Sequence, residues 1–101
     1  MYVYVAKSPR PYEGPVYYFT DPVLDQDNTE ILKDRIVRLV NETMPPAVYV
    51  NLSSAWSATE CGVAQLGRLR RDLRVVGCDL HLHGVAQSIR DILDAARLPT
   101  H

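Results

Sequence analysis

Ala47-Val48-Tyr49-Val50-Asn51-Leu52 is a six-residue run, almost unbroken in its apolar character and rich in β-branched side chains. A short apolar run on consecutive positions marks a strand covered on both faces, and the brevity and β-branching favour strand over helix. Pro45-Pro46 precedes it and Ser53, Ser54 and Ser57 follow, so the run is bounded by breakers and loop formers.

Helical patterns flank it. Upstream, Ile31, Leu32, Ile36, Leu39 and Val40 recur at three and four, with Lys33, Asp34, Arg38 and Glu42 on the other side. Asp27, three residues before Glu30, has capping-box spacing, which predicts that this helix begins near Asn28 and ends at Pro45-Pro46. Downstream, Ser57 and Glu60 repeat the spacing ahead of a Val63, Leu66, Leu69, Leu73 stripe, predicting a second helix to about Arg74. Cys78 to His83 then alternates between Gly77 and Gly84, as a strand with one packed and one polar face does. A third helix is expected within Val85 to Leu98, burying Ile89, Ile92, Leu93 and Ala96 and ending at Pro99. At the N-terminus, Tyr2 to Ala6 and Val16 to Phe19 read as two strands joined by a loop through Pro9, Pro11 and Gly14.

The expected order is β-β-α-β-α-β-α: one α/β domain over residues 1–101, with helices packed on a mixed sheet. Parallel strands joined by helical crossovers place Val48, Val50 and Leu52 in an interior strand, beside the strand of Leu80 and Leu82. A chain of 101 residues, 47% hydrophobic and 23% charged, suits a single domain. Eleven cationic against 12 acidic residues leave a formal charge of −1, which argues against sequence-independent nucleic-acid binding. Two cysteines without a CxxC make neither a disulfide scaffold nor a zinc cluster. No leader pattern opens the chain and no apolar run approaches the roughly twenty residues of a membrane span, so a cytoplasmic protein without a membrane is expected. With no phosphate loop, GxSxG or HExxH, no enzyme and no cofactor are expected.

Several local stretches, in this order, resemble the STAS domain, the family of bacterial anti-sigma factor antagonists and of the cytoplasmic tails of sulfate transporters. Leu24-Asp25 is similar to a Leu-Asp that family members carry before their first helix. Asn51-Leu52-Ser53 resembles the family's Asp-Leu-Ser at the end of a central strand, and Leu80 to Val85 followed by Ser88 to Leu98 looks like its closing strand, turn and helix. The family's Asp-Ser-Ser-Gly-Leu-Gly segment, which carries the phosphorylated serine, falls on Thr59-Glu60-Cys61-Gly62-Val63-Ala64, where only the glycine is kept. The resemblance implies a noncatalytic signalling module in transcription regulation. Its partner would be an anti-sigma factor or related serine-kinase-like ATPase, or other STAS proteins, and its docking surface Asp25, Ser54, Trp56, Ser57, Thr59, Glu60, Cys61, Gly62 and Val63. Glu60 stands at the phosphoacceptor position, leaving Ser57 and Thr59 as the alternative acceptors.

Each of these residues has a plainer reading. Glu60 is an acid in a first helical turn, stabilised there by about 0.3 to 1 kcal/mol, and one carboxylate carries less charge than a phosphate's roughly −1.5 to −2. Trp56 is either a binding anchor or a core side chain. Cys61 is a small packed residue or, as in the rival reading, a reactive thiol working with His81 or His83. Asp79, His81 and His83 share a strand face that is a solvent-facing polar row, a metal site, or a contact surface with Tyr2 and Tyr4. A third reading is a structural STAS subunit without a switch. Arg68, Arg70, Arg71 and Arg74, with Asp72 among them, read as a solvated helix surface.

Overall fold

In a computed structural model the described residues are 15–98 and 100, with 3–6 described as backbone. Among the described residues nine elements follow one another: β1 Val3–Ala6, β2 Val16–Phe19, β3 Val23–Leu24, α1 Gln26–Thr43, β4 Ala47–Asn51, β5 Ser57–Ala58, α2 Glu60–Val75, β6 Asp79–His83 and α3 Gln87–Ala95. The loop expected through Pro9, Pro11 and Gly14, the residue Tyr2 and the stop at Pro99 lie outside the described residues.

The main sheet runs β1-β2-β4-β6, with β1 antiparallel to β2 and the other pairs parallel. β4 is interior, and Val48 pairs with Leu80 and Val50 with Leu82 as expected, but only the Val48 and Val50 face is fully buried, Tyr49 and Asn51 being half-buried on the other, which corrects the reading of a strand covered on both faces. Leu52 falls one residue past the strand and still donates its N–H to the His83 carbonyl at 2.9 Å. Because the parallel strands step in one direction, right-handed crossovers put α1 and α2 on the same face. Tyr17, Phe19, Val48, Val50, Leu80 and Leu82 accordingly share one core with Leu32, Ile36, Leu66, Leu69, Ile89 and Leu93 of the three helices. The opposite face carries half-buried Tyr18, Tyr49, Asn51, His81 and His83.

The sequence pattern misses β3 and β5, two residues each, which pair in parallel as a second small sheet. Two-residue strands have no periodicity to read. Both caps also differ from the capping-box reading. Asp25, not Asp27, caps α1, accepting from the Asn28 N–H at 2.8 Å, so the helix begins at Gln26. Thr59, not Ser57, caps α2 by accepting from the Gly62 N–H at 3.1 Å, and Ser57 lies in β5. In each case the small sheet holds the preceding residue extended, and the extended residue nearest the helix takes the cap.

α1 ends with Met44 in the left-handed region, its N–H on the Val40 carbonyl, and Pro45-Pro46 prevents continuation. α3 is shorter than the expected Val85 to Leu98. It buries Ile89 and Leu93, while Ile92, 42% exposed, and Ala96 face outward, correcting the sequence expectation for both. Beyond it Leu98 turns back into the core, and Thr100 bridges to Leu82 of the edge strand β6.

Gly67 lies within α2 at a position where an added Cβ meets nothing within 4 Å. Glycine in a helix interior is destabilising by roughly 0.5–1 kcal/mol relative to alanine. Gly67→Ala is therefore expected to raise stability by about that amount, read as an increased midpoint in urea unfolding with an unchanged slope.

Candidate functional site

The parallel strands β2, β4 and β6 deliver their following loops to one end of the sheet, the usual position of a binding surface in an α/β fold. Segments 20–25, 52–59 and 84–86 meet there, and α2 starts from it.

Asn51 organises the first turn after β4. Its Oδ1 accepts from the Ser53 N–H at 2.9 Å and the Ser53 hydroxyl at 2.6 Å, and Ala55 N–H bonds the Leu52 carbonyl at 3.0 Å. Asparagine side chains stabilise such turns by bonding backbone two residues on. Gly84, at φ +69, passes this turn so closely that a Cβ there would lie 3.3 Å from Asn51 Nδ2. Ser54 is exposed on the turn, and Ala55 tucks into the core.

Trp56 is next, and it is 64% exposed. That decides between the two readings of the residue: it is a surface side chain. Its backbone is held, however, on both sides. The Trp56 N–H donates to the Pro22 carbonyl at 2.9 Å, and its carbonyl accepts from the Ser88 hydroxyl of α3 at 2.8 Å. β5 then pairs with β3, and the Thr59 N–H reaches the Leu24 carbonyl at 3.0 Å. A large apolar side chain is thus displayed from a backbone tied to two other segments.

The start of α2 presses on the backbone of Leu24 and Asp25. A Cβ built on Gly62 would approach the Leu24 carbonyl oxygen to 2.0 Å and the Asp25 carbonyl carbon to 3.1 Å. Only glycine permits this approach. The helix beginning is further joined to α1 by Gln65, 8% exposed, whose Nε2 donates to the Gln26 carbonyl at 3.4 Å. Sequence reasoning missed Gln65, which on helical spacing belongs beside the apolar stripe but carries no apolar signal.

The structure therefore brings together the Asp25 backbone, Trp56 and the α2 first turn, and it separates two groups among the residues expected to bind a partner. Ser54, Trp56, Thr59, Glu60 and Cys61 are exposed, and Asp25 and Ser57 are half-buried. Gly62 and Val63 are buried, so their part is to seat α2 and not to offer side chains to a partner. The Thr59 hydroxyl is engaged as the cap and directed at the Leu24 carbonyl, 3.5 Å away. Glu60, in contrast, stands free of the cap at the positive end of the helix dipole.

The histidines lie elsewhere. His81 stacks on Tyr49 with ring centroids 4.8 Å apart, and His83 meets the same ring edge-on at 6.4 Å. Both belong to the sheet face opposite α2, so the sheet stands between them and Cys61. Among the described residues no three His, Cys, Asp or Glu side chains are grouped to hold a metal ion. Cys78 is 1% exposed, and burial first, then the neighbouring Asp79 charge, push its thiol pKa up, away from the reactive thiolate.

A four-stranded sheet with one antiparallel edge and its helices on one face is the STAS fold. It aligns with the solved structure of the anti-sigma factor antagonist SpoIIAA in its unphosphorylated form at a TM-score of 0.65 and 19% identity, covering 92% of this chain and 82% of that one. It also aligns with the murine solute carrier 26 family member A9 anion transporter in the inward-facing state, at a TM-score of 0.69 and 13% identity. That match covers 80% of this chain, which spans 13% of the transporter's length. The sequence matches no protein-family model and no curated protein.

Proposed function

We propose that this chain is a noncatalytic protein-binding module of the anti-sigma factor antagonist kind, acting in a cytoplasmic, bacterial signalling cascade. The observation that carries the reading is Trp56: a 64% exposed indole on a hydrogen-bonded loop, one turn ahead of exposed Thr59, Glu60 and Cys61. Exposing so much apolar area to water is unfavourable, and tryptophan is the residue most enriched among binding hot spots. The unphosphorylated SpoIIAA fold supports a partner of the anti-sigma factor type, a serine-kinase-like ATPase. Glu60 then replaces the phosphoacceptor with a permanent charge, and the partner reads a surface that does not toggle at that position. Among the described residues no helix is long and apolar enough to cross a membrane.

The test is affinity capture from the native cell with wild type and with Trp56→Ala, followed by calorimetry on the purified ATPase. The expected result is an ATPase retained by the wild type, with affinity lowered by about 2 kcal/mol or more in Trp56→Ala. Thermal stability should be unchanged, because the indole is outside the core. Equal affinities would remove Trp56 from the interface, and capture of STAS proteins alone would indicate a structural subunit.

A further inference from the structure

The C-terminal half of α2 and the turn after α3 line an open cleft of about 540 Å³, within the usual range for small-ligand sites. It is lined by Gly67, Ala96 and Leu98 together with Arg70, Arg71, Arg74 and Arg97. Arg68, read in sequence with the α2 arginines, does not line the cleft, and Arg97 comes from a different element. The sequence pattern of a solvated basic helix thus becomes a convergent site only through the return of the chain after α3.

Two observations separate this cleft from an ordinary cationic surface. The first is charge. Among the described residues none of the four guanidinium groups pairs with a carboxylate, and the one bond recorded is from Arg70 Nη1 to the Arg97 carbonyl at 3.5 Å. The ends of α2 and α3 offer partial negative charges of roughly a half each, and Asp94 stands beside Arg70 and Arg97. Those together offset about half of the four positive charges and leave an excess of about two.

The second is backbone strain. Arg97 occupies the left-handed region at φ 60, donating its N–H to Asp94 and passing the Leu98 N–H to the Leu93 carbonyl. Glycine is the usual residue at that position of a helix end, and a bulky residue there is disfavoured by roughly 1–2 kcal/mol. Met44 ends α1 in the same region with no arginine cluster beside it, so it is the pairing of this conformation with three other arginines that points to work done by the Arg97 side chain.

We infer that the cleft binds a ligand bearing a dianionic phosphate group. A phosphomonoester carries about −1.5 to −2 charges, matching the excess, and its tetrahedral oxygens accept the paired N–H groups that guanidinium presents. A single carboxylate would leave the site half neutralised. Soluble phosphorylated molecules and lipid headgroups share this chemistry.

Binding of glycerol 3-phosphate, a soluble phosphomonoester, by calorimetry, and sedimentation with phosphatidylcholine vesicles with and without phosphatidic acid, distinguish the sources. Wild type is expected to bind one of the two phosphate probes. Gly67→Glu, which sets a carboxylate three and four residues from Arg70 and Arg71, should abolish that binding. Arg97→Gly should weaken binding at least about tenfold, the loss of one charge-assisted contact. Its unfolding temperature should stay equal or rise, because glycine relieves the left-handed backbone, and a merely structural arginine would not show that combination. Glycerol 3-phosphate binding identifies a soluble ligand, and retention only on phosphatidic acid vesicles identifies a headgroup. Failure to bind either probe, tighter binding of a polyglutamate peptide, or wild-type affinity in Arg97→Gly would overturn the inference.

Discussion

Gly62→Ala is expected to destabilise the fold by about 3 kcal/mol, a substantial share of what a domain of this size has in reserve. A methyl group at this position would sit 2.0 Å from the Leu24 carbonyl oxygen. What it meets is backbone, and that backbone is already committed. The Leu24 carbonyl accepts from the Thr59 N–H at 3.0 Å, Leu24 pairs with Ala58, and Leu24 itself is fully buried. To relieve the clash, α2 must lift from the small sheet, which also loosens the Thr59 cap and the Gln65 tie to α1. At roughly 4–8 °C per kcal/mol for a domain of this size, the melting temperature should fall by about 12–24 °C. Differential scanning calorimetry measures it. A fall of only a few degrees would mean that the helix start can slide without loss, and that the glycine is not what seats it.

The same glycine shows why parts of this molecule are legible from sequence and others are not. β4 could be read as a strand from its brevity and β-branching, but the expected cover on both faces is not there: Val48 and Val50 share the one buried face, and Tyr49 and Asn51 on the other are half-buried. The helices could be read from their stripes, since Leu32, Ile36, Leu66 and Leu69 repeat at helical spacing. Gly62 stood out only through its resemblance to a family motif, and the reason for it, the approach of a carbonyl 38 positions earlier in the chain, is a tertiary fact. The caps failed for a related reason. Asp27 and Ser57 have the right spacing, but capping requires an extended residue, and β3 and β5 decide which residues are extended. Ile92 failed because the helical stripe allots it to the core face, while α3 is short and packs by Ile89 and Leu93 alone. Exposure of Trp56 could not be read at all. An indole in a serine-rich loop is compatible with either side of the surface until the bonds to Pro22 and Ser88 fix the loop's path.

Glu60→Gln is expected to weaken binding to the proposed ATPase partner by about 2 to 5 kcal/mol, roughly thirtyfold or more in affinity. Glu60 is exposed in the first turn of α2, so in the free protein its carboxylate is hydrated and also favoured by the helix dipole. Docking beside Trp56 would strip that water. A partner shaped for a neutral hydroxyl would have nothing to offer in return, and the buried carboxylate would hold the complex apart. A module held apart permanently would have no signalling use, which favours a partner carrying a basic group opposite the carboxylate. Removing one member of such a pair leaves the other buried and unpaired, and that penalty is what the glutamine variant measures. The substitution keeps the shape of the side chain and leaves the Thr59 cap untouched, so folding should be nearly unaffected. Calorimetric titration of the two proteins against the same ATPase gives the sign directly. Tighter binding by Glu60→Gln would show that the partner excludes the charge, and equal affinity would place Glu60 outside the interface, as an acid that serves only its own helix.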